Sequence, residues 1–250
     1  YDMDAPRSGR HSDYWFTFVN RVAKRIKQSH PDKWISTLAY MTHEDVPSFE
    51  LEDNLVVHFC FSVNRMPYRT QGYQAQMDNY HDWLDTGTPL FMWLYNTFPR
   101  EKANNGNFFM FPGAFARTAA EQIKYFRSTG LRGFFHCGWG EEVENYISFE
   151  LMDDPTLDTE ALLDEYFTRM YGPASEPIQK MYDLMEKVYC DPANYPDGAG
   201  HQNANIAWNH LGTTERIEKM AGWMKQAYEL AETKLQKERV KMWDLAIWSY

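Results

Sequence analysis

The sequence predicts an α/β fold built on parallel strands, and three observations predict it. Short apolar runs alternate with amphipathic stretches through the first half of the chain, the cadence of strands joined by crossover helices. Two of the runs, NLVVHFCF (54–61) and PLFMWLY (89–95), are nearly continuous in apolar residues, as strands covered on both faces are. The second half carries helical periodicity only.

Each element follows from local chemistry. Ser12 to about Ser29 reads as a helix, because Trp15, Phe18, Val19, Val22 and Ile26 recur at three- and four-residue spacing. Ser12 or Asp13 can accept from its first free N–H groups, and His30-Pro31-Asp32 ends it. Trp34–Tyr40 is the first strand, followed by a loop with Pro47, and Asn54–Phe61 is the second. A polar stretch, Ser62–Gln76, leads to a short helix, Met77–Leu84, ended near Gly87. Pro89–Tyr95 is the third strand. Asn96–Gly113 reads as a long loop of a kind that often carries function. Ala114–Thr129 is a helix with Ala119, Ala120, Ile123 and Phe126 inside, and Gly130 sits where a C′ glycine belongs. Leu131–Cys137 is the fourth strand.

A closed barrel of this class has eight strands. Either residues outside this chain complete it, or the four strands form a small open sheet. Beyond them, Asp158 caps a helix to Met170 that Gly172-Pro173 stops, and Ser175 opens another through Val188. Cys190–Gly212 is loop-like, and Thr213 or Thr214 starts a long helix through Leu235. The expected division is a strand–helix part, 1–155, and a helical part, 156–250.

Composition excludes several functions. The 250 residues hold 25 Lys and Arg against 35 Asp and Glu, a net charge of −10, which argues against a nucleic-acid partner. No run approaches the ~20 apolar residues of a membrane span. Cys60, Cys137 and Cys190 form no CxxC pair, so no local zinc site is expected. The phosphate-loop, GxGxxG, GxSxG and HExxH motifs are all missing, which argues against phosphoryl transfer, hydride transfer on a Rossmann motif and serine-esterase chemistry, and neither a metal nor a cofactor is expected.

What remains is where the parallel strands end, since ligands bind at carboxyl ends in such folds. Those ends carry Tyr40, His58, Trp93, Tyr95, His136 and Trp139, then Glu141 and Glu142. Aromatic faces beside polar groups suit a carbohydrate, whose C–H faces pack on rings while hydroxyls bond to His and carboxylates. Tyr40, Trp93, Tyr95 and Trp139 would form the platform, and His58 and His136 would bond hydroxyls or a carboxylate. Glu141 or Glu142 serves as acid or base, or else the two favour the positive end of the next helix. Trp93 and Tyr95 alternate with Met92 and Leu94, so one face of that strand is core. Cys60 and Cys137 read as buried, inert thiols.

Several segments together, HSDYWFTFVNRVAKRIKQSHPDKWISTLAY, NLVVHFCFSVNR, PLFMWLYNTF, GLRGFFHCGWG and DPTLDTEALLDEYFTRMYGPASEPIQKMYDLME, resemble a bacterial domain-of-unknown-function family. Its members are glycoside-hydrolase-like (β/α)8 barrels, similar to α-glucuronidases and β-hexosaminidases, that accompany polysaccharide degradation. The resemblance covers roughly Ser12 to Glu186. It implies the C-terminal part of a TIM-type barrel followed by helices, with earlier strands preceding Tyr1. It also implies hydrolysis of O-glycosyl bonds in a glycan that contains uronic acid or amino sugar, and a periplasmic or extracellular address. In that family an acid often follows the Trp of the third segment and another ends the segment matching GLRGFF. Leu94 and His136 stand there instead. That departure leaves open a carbohydrate-binding barrel without catalysis, or an interaction module of a larger glycan-degrading protein.

Overall fold

A computed structural model describes residues 10–61, 71–97, 110–138, 142–196, 199 and 202–248. They fall into two compact units. The first holds residues 10–61, 71–95 and 125–137, and the second residues 96–97, 110–124, 138, 142–196, 199 and 202–248. The helical unit thus takes in 110–124 and 142–155, expected from the sequence to go with the strands. Residues 98–109 of the expected loop 96–113 and residues 62–70 of the expected polar stretch 62–76 lie outside the described residues.

The first unit is a four-stranded sheet, β1 (Ile35–Ala39), β2 (Leu55–Phe61), β3 (Leu90–Thr97) and β4 (Phe134–Gly138), in the order β1-β2-β3-β4. β1 pairs parallel to β2 with Leu38 opposite His58, and β2 parallel to β3 with Cys60 opposite Trp93. Side chains alternate across each strand. Thr37, Ala39, Leu55, Val57, Phe59, Phe61, Leu90, Met92 and Leu94 point to one side, all buried. Three helices supply what they pack against. From α1 (Arg10–Ser29), Val19 and Ala23 cluster with Leu55, and Trp15 donates its indole N–H to Thr37 Oγ1 at 3.0 Å. From α2 (Gln71–Asp85), Tyr80 meets Phe59 at 5.7 Å. From α3 (Ala116–Ser128), Phe126 meets Phe61 at 5.2 Å. All three helices therefore serve the same face.

No helix joins β1 to β2. A 3₁₀ turn, Met41–His43, and an extended loop take that place, strapped down by side-chain to backbone bonds. Asn20 on α1 accepts from Glu52 N at 2.7 Å and donates to Glu50 O at 3.1 Å. Asp13 accepts from Ser48 N and Oγ, at 2.7 and 2.8 Å. From α2, Trp83 Nε1 and Asn79 Nδ2 both donate to Glu44 O, at 2.8 and 3.0 Å. These bonds satisfy loop backbone groups that a helix would satisfy internally.

The second unit contains α4 (Glu142–Asp153), α5 (Thr159–Tyr171), α6 (Ser175–Cys190), α7 (Thr214–Leu230) and α8 (Lys234–Trp243). The long terminal helix expected from Thr213 through Leu235 is two helices. The capping box of Thr233 and Gln236 starts α8 afresh, which is why the chain breaks at 231–233. Arg239 on α8 donates to the carbonyls of Arg169 and Met170, both at 3.0 Å, closing the C-terminus of α5.

The first N–H groups of α3 are satisfied from a distance. Phe115 N donates to Glu144 Oε1 at 2.8 Å, Ala116 N to Tyr182 Oη at 3.1 Å, and Arg117 N to Glu186 Oε1 at 2.7 Å. Tyr182 Oη in turn donates to Glu144 Oε1 at 2.6 Å. Glu144 and Glu186 are 2 % and 5 % exposed, so two buried carboxylates do the work of a local N-cap and meet the positive end of the helix. Replacing Glu144 by Ala strands the Phe115 N–H and the Tyr182 hydroxyl. We expect Glu144→Ala to cost about 2–3 kcal/mol in chemical denaturation, and Glu144→Gln, which keeps an acceptor, less than half of that.

Candidate functional site

The other face of the sheet is set by the same alternation. Leu38 and Tyr40, then Val56, His58 and Cys60, then Phe91, Trp93 and Tyr95 share it by register. Trp93 stacks on Phe135 with centroids 3.9 Å apart and planes 26° off parallel, which places Phe135 and Cys137 on this face too. Its side chains are half-buried for the most part, and Phe135 is 43 % exposed.

Rings line this face in three contacts. His58 lies flat on Phe91 at 5.1 Å and meets Trp93 edge-on at 6.3 Å. Tyr40 and Tyr95 stack at 6.2 Å with planes 27° apart. Their hydroxyls are joined, and Tyr95 is also hydrogen-bonded to Cys60. Gly133 makes room beneath this layer: a Cβ there would come within 2.9 Å of the Phe91 ring.

Burial sets the charge states. It lowers the His58 pKa below the ordinary 6.5, so the imidazole is neutral at pH 7. Burial pushes the Cys60 thiol up to about 12, in line with the inert thiol expected from sequence. It raises Tyr95 as well, with Cys60 and Tyr40 adding to the shift. This face therefore presents aromatic surface and hydroxyls.

Of the expected platform and polar residues, Tyr40, His58, Trp93 and Tyr95 share this face. His136 does not. It follows Phe135 on β4, so its ring turns to the helix-covered side, where burial lowers its pKa. Trp93 is placed differently from a stacking platform. Phe135 covers one of its ring faces, and its indole N–H is buried, with no acceptor among the described residues. Trp139 and Glu141 lie outside the described residues. Glu142 opens α4 in the second unit, exposed, and its Oε2 accepts from Tyr166 Oη at 3.3 Å. It occupies the first turn, where a carboxylate favours the helix dipole.

Phe135 and Phe91 are the residues that sequence reasoning missed. The signal was the doublet FFH in LRGFFHC. One Phe of such a pair must point away from the helices once the run is a strand, but the run itself does not say which. The apolar Leu94 is 1 % exposed on the helix-covered face, so packing demands its character. Among the described residues no cluster of three metal-ligating side chains occurs, and no helix is long and apolar enough to cross a membrane.

The depressed His58 pKa makes stability depend on pH. The folded state resists a proton that the unfolded chain accepts, so the contribution of His58 is complete above pH 6.5 and is lost as pH falls through the lower, folded value. His43 and His136 act in the same direction. Denaturant midpoints measured from pH 7.5 down to 5 should fall below pH 6.5, and His58→Leu should flatten that fall.

A family model matches residues 2–183, and its description is a domain of unknown function, DUF4838. No curated protein and no solved structure matches the chain. The match spans most of the 250 residues, including every described strand, and the chain belongs to the DUF4838 family.

Proposed function

We propose that the aromatic face is part of the interior and mouth of a TIM-type (β/α)8 barrel, and that the barrel binds a polysaccharide or oligosaccharide and hydrolyses its O-glycosyl bonds. The stacked Tyr40–Tyr95 pair carries this reading. It stands at the carboxyl ends of β1 and β3, where parallel α/β proteins bind ligands, and sets hydroxyls beside flat apolar rings. The winding supports the barrel. A parallel sheet ordered β1-β2-β3-β4 with α1, α2 and α3 on one face leaves its second face for closure, as in a barrel, whereas a doubly wound sheet covers both. Eight strands close such a barrel, so further strand–helix units complete it from outside the described sheet. A periplasmic or extracellular address goes with polymer degradation.

The test is a panel of neutral, uronic-acid and amino-sugar oligosaccharides, followed by both intrinsic fluorescence and product release. Tyr40→Ala and Tyr95→Ala should each weaken binding about 10-fold, the worth of one aromatic contact. Thermal melts of both variants check that the fold survives. Glycosidases use two carboxylates, and loss of one costs roughly 10²–10⁴ in rate. Glu141→Gln or Glu142→Gln should show that loss if either residue serves, and unchanged turnover removes them from the mechanism. Binding without product release would assign a carbohydrate-binding barrel, and no binding by any glycan rejects the reading.

A further inference from the structure

The helices of the second unit carry cations paired at i,i+4: Arg169 with Glu165, Lys180 with Glu176, Lys219 with Glu215, Lys225 with Glu229 and Lys234 with Glu238. That spacing stabilises a helix surface. α1 carries no such pair. Its sequence holds five Arg and Lys against one acid, Asp13, which is bonded to Ser48, in a chain whose net charge is −10. Arg21 has Lys24 at i+3 and Arg25 at i+4, like charges that work against the helix. Lys27 reaches Asp53 in the loop before β2. Arg21 and Lys24 are exposed, and neither has an ion pair or hydrogen bond among the described residues.

These two cations line a groove of about 290 Å³ between α1 and the β1–β2 loop. Thr17, Asn20, Arg21 and Lys24 form its helix wall, and Phe49 and Glu52 its loop wall. At 100° per residue, Lys24, Thr17 and Arg21 fall within an arc of about 60°, so one stripe of α1 faces the loop. The walls are tied together, because Asn20 accepts from Glu52 N and donates to Glu50 O, at 2.7 and 3.1 Å. Phe49 and Glu52 are half-buried, and the Glu52 carboxylate has no partner among the described residues.

Each lining group narrows the choice of ligand. Two unpaired cations on one wall call for an anion, and a guanidinium matches the two oxygens of a carboxylate. Glu52 on the other wall repels a ligand that is anionic all round, such as phosphate, and accepts from hydroxyls. Phe49 offers a ring to a C–H face. Small-molecule sites start at about 300 Å³, so the groove has room for a single sugar unit.

We propose that this groove binds one uronic-acid unit of an acidic polysaccharide, with its carboxylate on Arg21 and Lys24, its hydroxyls on Glu52 and Thr17, and its C–H face on Phe49. α1 packs on the helix-covered side of the sheet, so the groove is a second point of attachment, apart from the aromatic face. This rests on the glycan reading above and adds to it the acidic sugar and the surface that holds it.

Calorimetric titration of the full-length protein with a galacturonic-acid trisaccharide, its methyl ester and inorganic phosphate tests the proposal, with Tyr95→Ala run in parallel to separate the groove from the aromatic face. The acid should bind, and Arg21→Gln and Lys24→Gln should each weaken it about 10-fold, the worth of one charge-assisted hydrogen bond, without lowering the melting temperature. The methyl ester should bind about 10-fold more weakly than the acid and ignore both substitutions. Salt raised from about 50 to 500 mM should weaken the acid alone. Acid binding that Arg21→Gln and Lys24→Gln leave intact and Tyr95→Ala removes overturns the groove and leaves the aromatic face standing. The reverse pattern supports the groove and removes the aromatic face. Equal affinity for acid and ester, phosphate binding as tight as that of the acid, or no binding of the acid overturns the proposal.

Discussion

The direction in which the chain winds controls the rest of this structure. Crossovers between parallel strands are right-handed, so four strands laid down in sequence order deliver every connection to the same side of the sheet. One face becomes a dry interior filled by Phe59, Phe61, Met92 and Leu94, and among the described residues of the unit no helix packs on the other. That asymmetry is visible residue by residue. Phe59 of β2 is 1 % exposed while Phe135 of β4, on the opposite face, is 43 % exposed. The candidate site is what the winding leaves over.

Keeping all connections on one side demands that each be anchored there, and the β1–β2 connection has no helix to do it. Asn20 and Asp13 of α1 and Asn79 and Trp83 of α2 hold it through its own backbone groups. The helical unit solves the complementary problem. The start of α3 offers no Ser, Thr, Asp or Asn at its cap position, which Phe115 fills, and Glu144, Tyr182 and Glu186 reach its N–H groups instead. In both places a local backbone need is met by side chains remote in sequence. Glu186 also pairs with the Arg117 side chain at 2.5 Å, so its buried charge is compensated.

Much of the fold was legible because burial writes itself into composition. The runs LVVHFCF and LFMWLY had to be strands covered on at least one face, and both are. The site was legible in part. Tyr40, His58, Trp93 and Tyr95 share a face because their strands pair with Leu38 opposite His58 and Cys60 opposite Trp93, a register that no single strand declares. A shift of one residue would have sent them to the helix side. His136 shows the cost of that ignorance: it lies in mid-strand like His58, yet parity turns it to the other side. The break between α7 and α8 was missed for a different reason. Leu235 continues the apolar spacing of α7, and periodicity alone outvoted the capping signal of Thr233 and Gln236.

Trp93 shows why a residue type named from sequence and the role it plays in a site can separate. An indole beside a strand end suggests a sugar platform. In place, Trp93 has Phe135 on one face at 3.9 Å and His58 at its edge, and its N–H is buried. Its ring is a brace that holds Phe135 outward, while Tyr40 and Tyr95 stack on each other on the same face. The hydroxyls of that pair are already tied to each other and to Cys60, so they are fixed in orientation before any ligand arrives. The aromatic layer is therefore held in place by its own ring stacking and hydroxyl contacts.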